Sequence, residues 1–265
     1  MAVQPEGTPC WADAMFSDLE GAKSFYGEVL GWTFAESSTE FGNYTEASAN
    51  GKAVAAVVPP MPGQEGLSQW CLYLASQDAA ATAARIRDHG GEVLMEPMQV
   101  ADFGTMCLAR DPGGVVFGVW QAGTHEGFQA MAEPGAYTWA EVFTREPEKS
   151  DAFFPAVFSY RQRDMPDGET DFRVYDLGER SVLGRMRMGE DFPPEVQPYV
   201  NVYFGVDDCD AAVARATKLG GVLRFGPMTT PFGRFAAISD PQGANFSVID
   251  TTTTEGEMPP LTDVP

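Results

Sequence analysis

The sequence predicts an α+β protein made of four βαβββ modules, grouped as two tandem halves. Three observations lead there. The chain repeats itself over nearly its whole length, each quarter shows the same order of strand and helix signals, and each half ends with a tight turn ahead of an apolar strand.

The repeat is read directly. Trp11-Ala12-Asp13 returns as Trp139-Ala140-Glu141, an offset of about 128 residues that also carries Phe25-Tyr26 onto Phe153-Phe154, Trp32 onto Tyr160, Tyr44 onto Phe172 and Lys52 onto Arg180. At an offset of about 130, Tyr73 meets Tyr203, Asp78 meets Asp208, and Gly90-Gly91 meets Gly220-Gly221. One residue less, and Phe103-Gly104 meets Phe232-Gly233 while Asp111-Pro112-Gly113-Gly114 meets Asp240-Pro241-Gln242-Gly243. A register held over so many glycine, proline and aromatic positions is a tandem duplication.

Within the first quarter, Cys10 to Phe16 reads as a short strand. Ser17 with Glu20 forms a capping-box pattern. The helix it opens buries Leu19, Ala22, Phe25, Tyr26 and Val29 at spacings of three and four, and Gly31 closes it. Phe41 to Val58 folds back at Asn50-Gly51, a hairpin signal. The second quarter repeats the order: a strand from Gln69 to Ala75, an alanine-rich helix from Asp78 closed by Gly90-Gly91, and three strands. The last of these, Val115 to Trp120, follows the Asp111-Pro112-Gly113-Gly114 turn. Modules therefore start near Cys10, Trp70, Tyr137 and Tyr199. The third departs from the pattern, because Pro155 falls inside its helix and is expected to break or kink it.

Composition narrows the class. Of 265 residues, 44% are hydrophobic and 12% aromatic, as in a packed globular protein. The formal charge of −21 disfavours phosphate backbones and anionic membranes as partners. No apolar run reaches membrane-spanning length, and Met1 to Gly7 lacks the pattern of a secretory signal. The four cysteines, Cys10, Cys71, Cys107 and Cys209, are scattered, which suits small buried side chains in a reducing cytoplasm. Oligomeric state stays open between monomer and homodimer.

Paired βαβββ modules, Asp-Pro-x-Gly before a closing strand and Ser24-Phe25-Tyr26 after a first strand resemble the vicinal oxygen chelate superfamily. This is the group of glyoxalase, bleomycin-resistance and extradiol dioxygenase proteins, and the likeness extends from Pro9 to Asp250. It is strongest to the two-domain glyoxalase-like proteins common in actinobacteria, some of them labelled hydroxylases. The resemblance implies a domain over 1–121, a linker over 122–136, a second domain over 137–250 and a mobile tail over 251–265. It also implies that each pair of modules curls into a half-open barrel around a cavity. Members of that superfamily usually hold a divalent metal through first-strand and closing-strand side chains. Family spacing places those positions at Trp11, Cys71, Trp139 and Asn201, and at Gly118 and Ser247. Only Cys71 is a good ligand type, so no metal and no cofactor are expected. His89, at a helix end, and His125, read as an exposed linker residue, offer no replacement.

Strand alternation puts Trp11, Tyr73, Trp139 and Tyr203 on the cavity face, with Trp120 following Gly118 at period two. Asp13 and Glu141 lie two residues beyond the tryptophans, on the same face. These side chains would serve equally as barrel core or as the lining for a flat ligand. Phe103 and Phe232, with Met61, Met95, Met98 and Met106, suit an adaptable apolar mouth. The expected function is metal-free binding of a hydrophobic aromatic small molecule at Trp11, Asp13, Tyr73, Phe103, Trp120, Trp139, Glu141, Asn201, Tyr203 and Phe232. Such binding would sequester an antibiotic or serve a biosynthetic partner enzyme. The alternative is a metal-independent isomerase, lyase or oxygenation accessory in which Asp13 or Glu141 is the acid or base. A metal-dependent glyoxalase or dioxygenase ranks last.

Overall fold

Each quarter of the chain opens with an apolar strand, and these four strands form the centres of two sheets. The computed structural model describes residues 4–60, 68–165 and 170–264; Met61 lies outside the described residues. The first half contains β1 (Pro9–Met15), α1 (Leu19–Leu30), β2 (Thr33–Phe34), β3 (Thr45–Ala49) and β4 (Lys52–Val58). It continues with β5 (Trp70–Ala75), α2 (Ala79–Asp88), β6 (Glu92–Val100), β7 (Gly104–Arg110) and β8 (Val116–Ala122). The second half repeats this with β9 (Tyr137–Thr144), α3 (Pro147–Phe158), β10 (Arg161–Asp164), β11 (Phe172–Leu177) and β12 (Arg180–Arg187). Its last module is β13 (Tyr199–Gly205), α4 (Cys209–Lys218), β14 (Val222–Thr230), β15 (Gly233–Ser239) and β16 (Asn245–Asp250).

With a short last strand, β17 (Thr262–Asp263), the strand order is β2-β3-β4-β1-β5-β8-β7-β6 in one sheet and β14-β15-β16-β13-β9-β12-β11-β10-β17 in the other. Apart from β17, the two orders are the same when each half is counted from its own first strand, as the duplication requires. In each sheet the two modules meet through an antiparallel pair. β1 against β5 sets Trp11 opposite Tyr73 and Asp13 opposite Cys71. β9 against β13 sets Trp139 opposite Tyr203 and Glu141 opposite Asn201.

Local chemistry explains the element ends. The cap of α1 is Asp18, whose carboxylate accepts from the Gly21 N–H at 2.9 Å, so the capping residue is one later than the Ser17 pattern suggested. Gly31 closes α1 in the left-handed region, and Asn50 and Gly51 both take positive φ in the β3–β4 turn. Helix α3 runs unbroken through Pro155. The carbonyl that Pro155 cannot satisfy is that of Asp151, and it accepts a hydrogen bond from Gln162 Nε2 at 2.6 Å. A side chain from β10 supplies the missing donor, so the expected break does not occur.

The helices lie between the sheets and pair across the halves, α1 against α4 and α2 against α3. One core is shared there, including Tyr26, Trp32, Trp70, Phe117, Phe154, Phe204 and Phe246. The tail, expected to be mobile, adds β17 (Thr262–Asp263) beside β10 at the sheet edge. No described helix is long and apolar enough to cross a membrane.

Candidate ligand site

The face of each sheet turned away from the helices carries a carboxylic acid and a tyrosine in the same arrangement. Tyr73 Oη donates to Asp13 Oδ2 at 3.0 Å, and Tyr203 Oη donates to Glu141 Oε2 at 2.9 Å. Both pairs follow from strand register, since residues two apart on one strand face the partner strand's alternate residues. Burial pushes both carboxyl groups up to about 7, although the tyrosine hydrogen bonds pull the other way. Glu141 gains a further donor, Trp139 Nε1 at 3.2 Å. Asn201 Nδ2 donates to Ser247 Oγ at 2.9 Å beside this pair.

A divalent metal does not fit either face. Among the described residues no three His, Cys, Asp or Glu side chains converge. The position at Gly118 is closed to any side chain, because a Cβ there would run into the Tyr73 ring. Burial and the nearby Asp13 hold the Cys71 thiol well above its ordinary range, against the thiolate a metal needs. In the second half, Asn201 and Ser247 are committed to each other, and Trp139 coordinates nothing.

The two faces differ in access. In the first half, Trp11 is 3% exposed and belongs to a compact cluster with Tyr73 and Trp120, so these three form barrel core. Trp11 Nε1 donates to Tyr44 Oη at 2.6 Å. His125 is not an exposed linker residue: its ring stands edge-on to Trp11 at 4.5 Å and to Trp120 at 5.6 Å. Phe128 covers Trp11 from another side, at 5.6 Å. Phe103 lies at the rim, where it meets Phe41 at 5.4 Å.

In the second half, Trp139 is only half-buried, and among the described residues no aromatic ring packs on it. The register carries Ser247 across to Ala237 and Phe225, and Phe235 to Met228, so these residues share the face of Tyr203. Phe225 is 52% exposed and Met228 41%, with Phe232 at the adjoining hairpin tip. Tyr44, Phe128, Phe225 and Phe235 were not singled out from the sequence. The repeat pairs Tyr44 with Phe172 and so contained one of these signals; the others depend on which strands become neighbours. A crevice of about 220 Å³ where α1 meets the Asp240 turn is elsewhere, and its acids are committed to backbone donors.

Residues 11–119 match the model of the Glyoxalase/Bleomycin resistance protein/Dioxygenase superfamily. The chain is 38% identical over 251 residues to the glyoxylase-like protein CFP32 of Mycobacterium tuberculosis, covering 92% of this chain and 95% of that one. It is likewise 38% identical over 259 residues to the anthracycline biosynthesis protein DnrV of Streptomyces peucetius, covering 92% and 93%. Among solved structures, the Mn(II)-bound glyoxalase of Novosphingobium aromaticivorans aligns with a TM-score of 0.65 at 16% identity, over 96% of this chain and 87% of that one. The 2,3-dioxygenase LapB of Pseudomonas sp. KL28 aligns at 0.66 and 13%, over 98% and 95%. With the repeated modules, the two matching sheets and these relatives, the chain belongs to the glyoxalase/bleomycin resistance/dioxygenase, or vicinal oxygen chelate, superfamily.

Proposed function

We propose that this protein binds a flat, hydrophobic aromatic molecule on the concave face of the second sheet and releases it unchanged. The observation that carries the reading is the half-buried Trp139, with no aromatic ring on it among the described residues, beside a buried Glu141–Tyr203 pair, with Phe225, Met228 and Phe232 forming an exposed apolar wall. Apolar side chains left open on one wall of a concavity suit a ligand that covers them. Both Glu141 oxygens already receive a donor. In its protonated form the acid therefore has a proton to give to a ligand carbonyl, and in its ionised form it favours a ligand amine. The likeness to DnrV, whose name places it in anthracycline biosynthesis, supports an aromatic polyketide as the ligand class.

Titrating an anthracycline and 1,4-naphthoquinone against tryptophan fluorescence tests this. Micromolar or tighter quenching is expected, since a drug-sized ligand at about 0.3 kcal/mol per heavy atom reaches that range. Trp139→Ala should weaken it about tenfold, the order of one lost aromatic contact. Absence of quenching, or unchanged binding to Trp139→Ala, overturns the reading.

The Glu141 carboxyl, poised near pH 7 beside a tyrosine hydroxyl, favours one second reading, proton transfer on the bound molecule without a metal. Chromatography of the ligand after incubation separates the two. Conversion by the wild type that is lost in Glu141→Gln, with binding retained, selects catalysis.

A further inference from the structure

The segment that follows each half's closing strand runs across the concave opening of its own sheet. After β8, the Gly123 and His125 N–H groups donate to the Phe103 carbonyl at 2.8 and 3.1 Å, at the β6–β7 turn. A few residues on, Phe128 N–H donates to Cys10 O at 2.7 Å and Gln129 N–H to Ala53 O at 2.9 Å, tying the segment to β1 and β4. After β16, Glu255 N–H donates to Thr230 O at 3.0 Å, and β17 pairs with β10 on the far edge. The seven steps from Glu255 to Thr262 reach at most about 25 Å, well short of the roughly 40 Å that nine strands laid flat would span. The sheet is therefore curled, and the tail crosses its open side.

What the two segments carry is different. The offset that takes Phe103 onto Phe232 puts Thr254 where His125 stands, and Glu257 where Phe128 stands. His125 stands edge-on to Trp11, and Phe128 packs beside it. The tail supplies no ring to Trp139 among the described residues. Burial holds the His125 imidazole below its usual range, so it sits against Trp11 as a neutral ring.

We infer that the linker is a built-in occupant of the first barrel, with His125 holding on Trp11 the place that a ligand's ring takes on Trp139. This rests on the ligand reading proposed above and adds two consequences: the wild-type chain binds one ligand, and removing the plug creates a second site at Trp11. A ring-sized void lined by aromatic side chains admits a small ring from solution.

The test uses the full chain with His125→Gly and two probes. Imidazole at about ten times its dissociation constant should raise the melting temperature of His125→Gly by about 3 °C and leave the wild type unmoved. Adding Trp11→Phe should abolish that gain or cut it to a small fraction. The milder His125→Ala variant repeats the measurement with less freedom in the backbone. With 1,4-naphthoquinone, calorimetry should give one site in the wild type and two in His125→Gly. Two sites in the wild type, or a plug variant that gains neither imidazole stabilisation nor a second site, overturns the inference while leaving the Trp139 site standing. Naphthoquinone that binds neither protein removes the ligand reading, and the imidazole arm then decides the plug alone.

Discussion

Asp13 and Glu141 stand at equivalent registers, and what each does follows from its surroundings rather than its identity. Among the described residues neither is paired with a lysine or arginine; each leans on a tyrosine hydroxyl and is held near 7 by burial. For Glu141 the folded-state value exceeds the ordinary 4.5, so the folded chain holds a proton that the unfolded chain has released. Its contribution to stability is complete below about pH 4.5 and is lost as pH rises through about 7. Glu141→Gln keeps the shape and the acceptor oxygen but not the charge. The variant should be more stable than wild type at pH 8 by roughly 1–3 kcal/mol, with the gap closing near pH 5. Guanidinium unfolding at the two pH values measures this, and an equal loss at both would mean that a cation compensates the carboxylate. The convergence of Trp11, Asp13 and Tyr73, and of Trp139, Glu141 and Tyr203, was legible in the sequence because strand alternation and the repeat together determine which side chains share a face. The burial of His125 was not, because the route of a linker is set by contacts distant in sequence.

Helix α3 shows how an element departs from its own repeat. Its buried Asp151 forms a two-pronged pair with Arg185 of β12, at 3.0 and 2.8 Å, and accepts from Tyr175 Oη at 2.7 Å. The equivalent positions in the first half are Lys23, paired with Glu20 at 2.7 Å, and the fully buried Val57. In the first half, then, the helix position carries a lysine held by Glu20 and the strand position an apolar valine, where the second half joins the two by an ion pair. Asp151→Ala removes both prongs and leaves the buried Arg185 guanidinium with only the half-exposed Asp171, its partner at 2.5 Å, so it should cost about 3 kcal/mol in denaturant unfolding. Replacing both, Asp151→Leu with Arg185→Met, should recover most of that loss, because packed apolar residues of similar volume often replace a buried ion pair without loss of stability. A double variant as unstable as the single one would show that the guanidinium supports the surrounding Asp171 and Tyr175 in a way that packing cannot replace. The helix itself was legible, but its continuity past Pro155 was not. The donor that rescues the Asp151 carbonyl comes from Gln162, beyond the helix on β10, and no periodicity marks it.

At the scale of the molecule, the duplication did not give two independent bodies. Each half sends its helices against those of the other, and the aromatic cluster of Tyr26, Trp32, Trp70, Phe204 and Phe246 draws on both. Tyr26 sits at its centre: Trp70 Nε1 donates to its hydroxyl at 3.0 Å, and the hydroxyl donates to Asp240 Oδ2 of the other half at 2.9 Å. Trp32 Nε1 likewise reaches the Gly135 carbonyl at 2.6 Å. That the two halves share one arrangement of eight strands was readable from the repeat, but this docking was not, since an apolar helix face does not state which neighbour covers it. Separation of the halves would expose five large aromatic side chains and take the Tyr26 donor from Asp240 Oδ2, so neither half should fold by itself. Expressed separately, residues 1–130 and 137–265 should each lack a cooperative thermal transition by circular dichroism. In the intact chain, Tyr26→Phe should lower the unfolding free energy by about 1–3 kcal/mol, because Asp240 Oδ2 and Trp70 Nε1 lose the hydroxyl they share. That loss should appear as one shifted transition, the same whether followed at Trp139, in the second half, or by the backbone signal of the whole chain. Two separate transitions in Tyr26→Phe, or a folded isolated half, would show that the halves are joined side by side rather than built around a common core.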